Sequence, residues 1–334
     1  MRYSRQRWGR GFTYRDDNKQ IVKDKTLLAF FCTLAIPPAW TDVEINTSKR
    51  ASIRATGYDA KGRKQYIYSP NFRLRRDRTK FDRILRFASA LQKMRGIVQQ
   101  QLRRRKLDRE KVLATMVRLL DIGHFRPGNE CYANENNSFG LTTLRDRHLH
   151  IEGSVITFNY QGKSGKMQEK TIVNARLAQI VNEINKLPGY EIFKYIDPDG
   201  TVRDVKSQDL NAYIREHMGE EFSAKDFRTW AGTSIAAATL DEYGITDQPN
   251  AQQLKNNVRK AIVAVSEALG NTPAIARKSY IDPRVIDNYL QGKTLSGCQR
   301  EAYKLRNKMN NLTVQELALL CLLKNNASPK NKGL

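Results

Sequence analysis

The spacing of apolar residues changes once, at Ser69-Pro70-Asn71, and that change sets the architecture. Before it, LLAFFCTLAIPPAWTDVEI and ASIRATGYDAKGRKQYIYS alternate β-branched and aromatic residues with polar ones around a turn at Asp59-Ala60-Lys61-Gly62. Strands around a short helix at residues 26 to 35 fit that pattern. After the break a basic amphipathic run begins at about Phe72, and from Phe81 to Leu120 apolar residues, Phe81, Ile84, Leu85, Ala88, Leu91 and Met94 among them, recur at three- and four-residue spacing. One buried helical face requires that period. The fold class is therefore α+β: a small β-rich N-terminal domain at residues 1 to 76 and a larger, mainly α-helical domain at 77 to 324.

Within the second domain HLHIEGSVITFNYQGKSGKMQEKTIV reads as a small antiparallel sheet turning at Glu152-Gly153 and at residues 161 to 166. YIDPDGTVRDV reads as a further hairpin. Helices are predicted at 207 to 218, 224 to 240, 251 to 269 and 272 to 291, with two more between 297 and 323, the second opened by the capping box Thr313-Val314-Gln315-Glu316. The polar tail at 325 to 334 reads as disordered.

At 334 residues and 40 % hydrophobic content the chain can build real cores. Its 58 Lys plus Arg against 34 Asp plus Glu give a net charge of +24, spread along the sequence. Such a field favours a polyanion, and nucleic acid gains most from it through counterion release. No apolar stretch long enough for a membrane span or a signal peptide is found, so a soluble cytoplasmic protein is expected. Cys32, Cys131, Cys298 and Cys321 lack the spacing of a disulfide framework or a zinc site.

Several stretches carry chemistry. GHFRPGNE places Arg126 beside a Pro-Gly break that should expose its guanidinium, and NYQGKSGKM places Lys163 on a glycine-flanked hairpin tip. AKDFRTWAGT carries Lys225 and Arg228 three apart, on one helical face. LGNTPAIARKSYIDP brings Asn271 and Tyr280. Two arginines, a lysine, an amide and a tyrosine suit attack of a phenol on a phosphodiester. The guanidiniums neutralise the phosphorane, a mobile lysine protonates the leaving alkoxide, and no metal or other cofactor is needed. The phosphotyrosine ester then conserves the energy of the broken bond.

These motifs, with LAIPPAWTDVEI, GYDAKGRKQYIY and FGLTTLRDRH, resemble the type IB DNA topoisomerases of the small bacterial and poxvirus-like branch along most of the chain. The resemblance implies a monomeric C-shaped clamp on duplex DNA that nicks one strand, forms a 3'-phosphotyrosyl link at Tyr280, lets the strand rotate and religates it. It implies that Arg126 and Arg228 hold the non-bridging oxygens, that Lys163 protonates the 5'-oxygen, and that Lys225 assists. Asn271 stands where many members have histidine; an amide can donate to the phosphate but does not titrate. Gln65, Tyr66 and Tyr68, alternating with Lys64 and Ile67, are expected to face DNA together, and Tyr132 to lie on the backbone. Two alternatives remain at this point: a tyrosine recombinase or integrase, though KDFR replaces its usual HxxR pattern, and a non-catalytic basic DNA-binding protein.

Overall fold

The computed structural model describes residues 2–245 and 250–324, apart from the side chains of 73–80 and of Tyr132. The tail expected to be disordered lies outside the described residues. The chain separates into two compact units, Met1–Asp82 and Arg83–Leu334.

The first unit is a five-stranded antiparallel sheet with one helix. Its elements are β1 (Arg2–Trp8), β2 (Gly11–Arg15), α1 (Lys25–Thr33), β3 (Thr41–Asn46), β4 (Ile53–Tyr58) and β5 (Lys64–Tyr68), in the sheet order β2-β1-β3-β4-β5. Tyr3, Val43, Ile45 and Ala55 point inward and enclose Phe31 of α1, whose ring lies 5.2 Å from that of Tyr3 and 4.7 Å from that of Tyr14. Both β1 and β2 escaped the sequence reading, β1 for a physical reason. Arg5 occupies an inward position of β1, where a strand pattern calls for an apolar residue. Its guanidinium instead donates to the carbonyls of Ile36, Pro37 and Trp40 at 3.0, 2.9 and 2.9 Å, which fastens the IPPAW turn to the sheet.

The second unit is mainly helical, and the helix entering it begins in the first. In chain order its elements are α2 (Pro70–Gln101), α3 (Arg109–Gly123), α4 (Glu130–Asn136), β6 (Leu149–Glu152), β7 (Val155–Gln161), β8 (Met167–Val173), α5 (Ala175–Asn185), β9 (Lys194–Ile196) and β10 (Val202–Asp204). Then come α6 (Ser207–Met218), α7 (Ala224–Tyr243), α8 (Ala251–Leu269), α9 (Pro273–Ser279), α10 (Pro283–Leu290), α11 (Gln299–Arg306) and α12 (Val314–Lys324). The helical period from Phe81 to Leu120 belongs to two helices, because Asp108 caps a new start, its carboxylate accepting from Lys111 N at 3.0 Å. Helix α3 runs through the core, with Val112, Leu113, Met116, Leu119 and Leu120 buried. The sheet β6-β7-β8 and the hairpin β9-β10 stand where the sequence put them.

The helix expected over 272 to 291 is broken. Thr272 caps α9 with Pro273 at its start, Tyr280 ends it in a non-helical conformation (φ −131°, ψ −13°), and Asp282 caps α10. Pro283 cannot continue a helix from the residues before it but opens one readily, so the break falls on Tyr280. Among the described residues no helix is long and apolar enough to cross a membrane.

Candidate active site

The site is assembled on the C-terminal end of α8. A helix ends with carbonyls that lack intrahelical partners. Gly270 turns the chain there with φ +60°, and the amides of Gly270 and Asn271 satisfy the carbonyls of Glu267 and Ser266. The next three carbonyls each receive a cation. Lys170 of β8 donates to Ala268 O at 2.6 Å, Arg228 of α7 to Leu269 O at 2.7 Å, and Arg126 to Gly270 O at 3.4 Å. Arg228 also donates to the carbonyl of His124, which ends α3 in a left-handed conformation, so one guanidinium joins the ends of two helices.

Arg126 is not the exposed arginine that its Pro-Gly break suggested. It is half-buried and donates to Asn271 Oδ1. The cause is close packing between two motifs: Gly140 N and Thr143 pair across their own turn, while Leu141 N and Thr142 N bond to Arg126 O and Pro127 O at 2.8 and 2.7 Å. A Cβ on Gly140 would come within 2.6 Å of Gly128, so both positions need glycine for the loop to hold Arg126 inward.

Tyr280 is 9 % exposed, and the guanidinium carbon of Arg228 lies 5.1 Å from its ring centre. Its backbone is held from α7: Thr233 Oγ1 donates to Tyr280 O at 3.2 Å and accepts from Asp282 N at 3.1 Å. Burial works against phenolate, but the charge and hydrogen bond of Arg228, then the charges of Arg126 and Lys225, bring the Tyr280 pKa below its ordinary value. Burial, with Arg126 beside it, likewise lowers that of Arg228. Two buried donors in this cluster, Arg228 Nε and Asn271 Nδ2, have no partner among the described residues.

Arg126, Arg228, Asn271 and Tyr280 are thus brought together. Lys225 is exposed one turn before Arg228 and reaches the phenol through its field. Lys163 is exposed at the β7-β8 tip, where Ser164 and Gly165 take positive φ values of 65° and 74° and Gly162 N bonds to Lys166 O at 2.8 Å.

The strand at Lys64 to Tyr68 corrects an expectation. Period 2 puts Lys64, Tyr66 and Tyr68 on one side and Gln65 with Ile67 on the other; the Gln65 amide donates to Asp59 Oδ2 at 2.8 Å. Tyr66 and Tyr68 stack at 6.1 Å. Tyr132 falls in α4, and its side chain lies outside the described residues.

The sequence reading missed three neighbours of the cluster. Gln168 of β8 packs on both Gly162 and Gly270, which have no room for a Cβ beside it. Burial, then Lys170 and Arg228, push the His124 imidazole down to about 4. Lys170 itself had left a signal: it shares the inward face of β8 with buried Gln168 and Ile172.

Comparison with known proteins meets this geometry at the family level. Residues 69–309 match the family described as eukaryotic DNA topoisomerase I, catalytic core, a span that holds every member of the cluster. This chain belongs to the type IB DNA topoisomerases. Residues 11–59 match the bacterial DNA topoisomerase IB N-terminal domain. The DNA topoisomerase 1B of Acanthamoeba polyphaga mimivirus is 33 % identical over 284 residues, covering 83 % of this chain and 84 % of the relative. That of vaccinia virus (strain Western Reserve) is 23 % identical over 288 residues, covering 84 % and 87 %. A larger relative, the DNA topoisomerase 1 of Mycosarcoma maydis, is 23 % identical over 268 residues, which are 73 % of this chain and 26 % of that protein. Membership in the type IB family makes the chain an isomerase that acts on DNA, and sets aside the recombinase and the non-catalytic binder.

Proposed function

We propose that this topoisomerase relaxes supercoiled duplex DNA as a monomer, through a 3'-phosphotyrosyl intermediate on Tyr280, without metal or ATP. The observation that carries the reading is the pair of buried, unpartnered donors, Arg228 Nε and Asn271 Nδ2, beside a phenol whose ring lies under Arg228. An orphaned buried donor is costly, and an incoming phosphate oxygen would satisfy both.

The Tyr280 oxygen attacks phosphorus and releases its own proton to solvent, an ionisation that the arginines favour. The bond from phosphorus to the 5'-oxygen breaks as Lys163 delivers a proton there. Arg126, Arg228 and Asn271 stabilise the charge that builds on the non-bridging oxygens. Religation reverses these steps. Lys225 supports the phenolate electrostatically and stands second to Lys163 as proton donor. In the first unit the exposed face of β5, with Lys64, Tyr66 and Tyr68, contacts DNA, and Tyr132 lies on its backbone.

The test is relaxation of a supercoiled plasmid in EDTA without ATP. The wild-type chain should relax it, and Tyr280→Phe should neither relax it nor form a covalent adduct while still binding duplex. An adduct formed by Tyr280→Phe would remove Tyr280 from the mechanism. Lys163→Ala should lose roughly 10²-fold in cleavage and regain most of it on a 5'-phosphorothiolate duplex, whose thiolate leaves unprotonated.

A further inference from the structure

Strand β8 alternates, with Gln168 and Ile172 buried and Met167, Glu169, Thr171 and Val173 exposed. Lys170 stands at an inward position between them, opposite Phe158 of β7, which is fully buried. An apolar side chain would fill that place at less cost than an ammonium. The ammonium is directed instead to Ala268 O, the first of three successive carbonyls whose other two receive Arg228 and Arg126. The negative end of a helix is worth about half a charge, so three seated cations give the site a positive excess.

The charged and titratable groups around Lys170 do not remove that excess. Arg228 faces it from α7 and Arg126 from the loop after α3. His124, at the end of α3, is held neutral. Tyr160 of β7 is pushed up to about 12 by burial, against the pull of Arg126 and Arg228, and so stays a neutral phenol. Asp121 reaches His124 with its field but pairs with Arg95 and Arg118, and Glu169 and Glu267 are exposed.

The geometry points to Lys170 as a positioning residue of the phosphate site: its ammonium completes a carbonyl-seated triad of cations whose mutual repulsion a bound phosphate relieves, and so ties the rate of attack to its own charge. The inference rests on the phosphotransfer reading above. It gives Lys170 no contact with the reacting atoms, because it works through the arginines and the field they share.

The pH dependence follows. Burial first, then Arg228 and Arg126, bring Lys170 down to about 8. Its charge is present below that value and is lost as pH rises through it. A bound phosphate stabilises the charged form, so binding near pH 8 takes up a proton. Tyr280 acts with the opposite sign, since phenolate formation raises the rate as pH rises.

The test is adduct formation from pH 6.5 to 9.5 on a subsaturating 5'-phosphorothiolate duplex, which removes the Lys163 step and reports the free enzyme. Wild type should exceed Lys170→Met by about tenfold at pH 7, and the ratio should fall towards one at pH 9.5. Lys170→Arg should retain the wild-type rate at pH 7 and show no loss near pH 8. A ratio unchanged across the range, or a Lys170→Met rate equal to wild type at pH 7, overturns the role. Should Lys170→Met fail to fold, as thermal melting would reveal, calorimetry of wild type binding duplex at pH 8 in buffers of different ionisation enthalpy decides: proton uptake supports the inference and its absence overturns it. A wild-type chain that forms no adduct at any pH sinks the phosphotransfer reading instead.

Discussion

Asn271 uses its amide in two directions. Its oxygen accepts from Arg126, and its nitrogen is buried without a partner. Asn271→Ala should therefore lower the cleavage rate by roughly 10²-fold, the scale of one lost donor to developing charge, with little change in duplex affinity. Asn271→Asp should be slower still, because a carboxylate there would hold Arg126 as an ion pair and repel the phosphate. Single-turnover cleavage of a duplex measures both, and an Asp variant faster than the Ala variant would contradict the donor role. At this scale the sequence was legible where the chemistry demands rare combinations. Arg126, Arg228, Asn271 and Tyr280 were each readable from motifs, and they meet. Lys170 and His124 were not, because a lysine in a strand and a histidine after a helix gain meaning only from what packs on them. The direction of Arg126 was also hidden, since the Gly128-Gly140 contact that turns it inward joins segments apart in sequence.

Elements place Tyr280 through one glycine. A Cβ on Gly232 of α7 would meet Tyr280 O at 2.7 Å and Tyr280 Cβ at 2.9 Å, so α7 and the α9-α10 break can approach only without it. One of these atoms is a backbone oxygen and the other is bonded directly to the backbone, so neither can swing aside. Gly232→Ala should shift Tyr280 against Arg228, slow adduct formation by roughly 10²-fold and cost about 1–3 kcal/mol of stability. Cleavage kinetics beside a urea titration separate the two effects; full activity with unchanged stability would mean that the break adapts freely. Most elements were legible from period and caps, including β6 to β8, α6 to α8 and the Thr313 capping box, whose Glu316 returns to Thr313 N at 2.8 Å. The failures share a cause. Arg5 at an inward position concealed β1, and the apolar spacing across Tyr280 continued through a break set by Asp282 and Pro283. Gln65 was grouped with Tyr66 and Tyr68 by polarity, against the period of the strand.

Away from the three carbonyl-seated cations of the site, a buried charge cluster in the second unit is paired across helices, while the chain as a whole carries positive charge in excess. Arg95 of α2 bonds to both Asp121 of α3 and Glu316 of α12, and Glu316 also accepts from Trp230 of α7 at 3.0 Å, so α12 is tied directly to α2 and α7 and through Arg95 to α3. Burial raises the Glu316 pKa, but the hydrogen bond and charge of Arg95 outweigh it and hold it below the ordinary value. Stability from a depressed carboxylate is present above the unfolded value and is lost as pH falls through the folded one. Glu316→Gln should therefore cost about 2 kcal/mol near neutrality, and its gap from wild type should narrow as pH drops below about 4.5; urea titrations at several pH values would expose a constant gap if the pairing is idle. That excess favours a polyanion such as DNA. With a net charge of +24, log affinity for duplex should fall linearly with log salt, by about −0.9 for each phosphate neutralised. On β5 charge and stacking can be separated, because Lys64 and Tyr66 are exposed on the same face. Lys64→Gln should reduce the slope by about 1, whereas Tyr66→Ala should weaken binding at every salt concentration and leave the slope alone, since it removes a ring and no charge. A labelled duplex titrated across ionic strengths reads both, and a slope insensitive to Lys64 would move the DNA path off this strand.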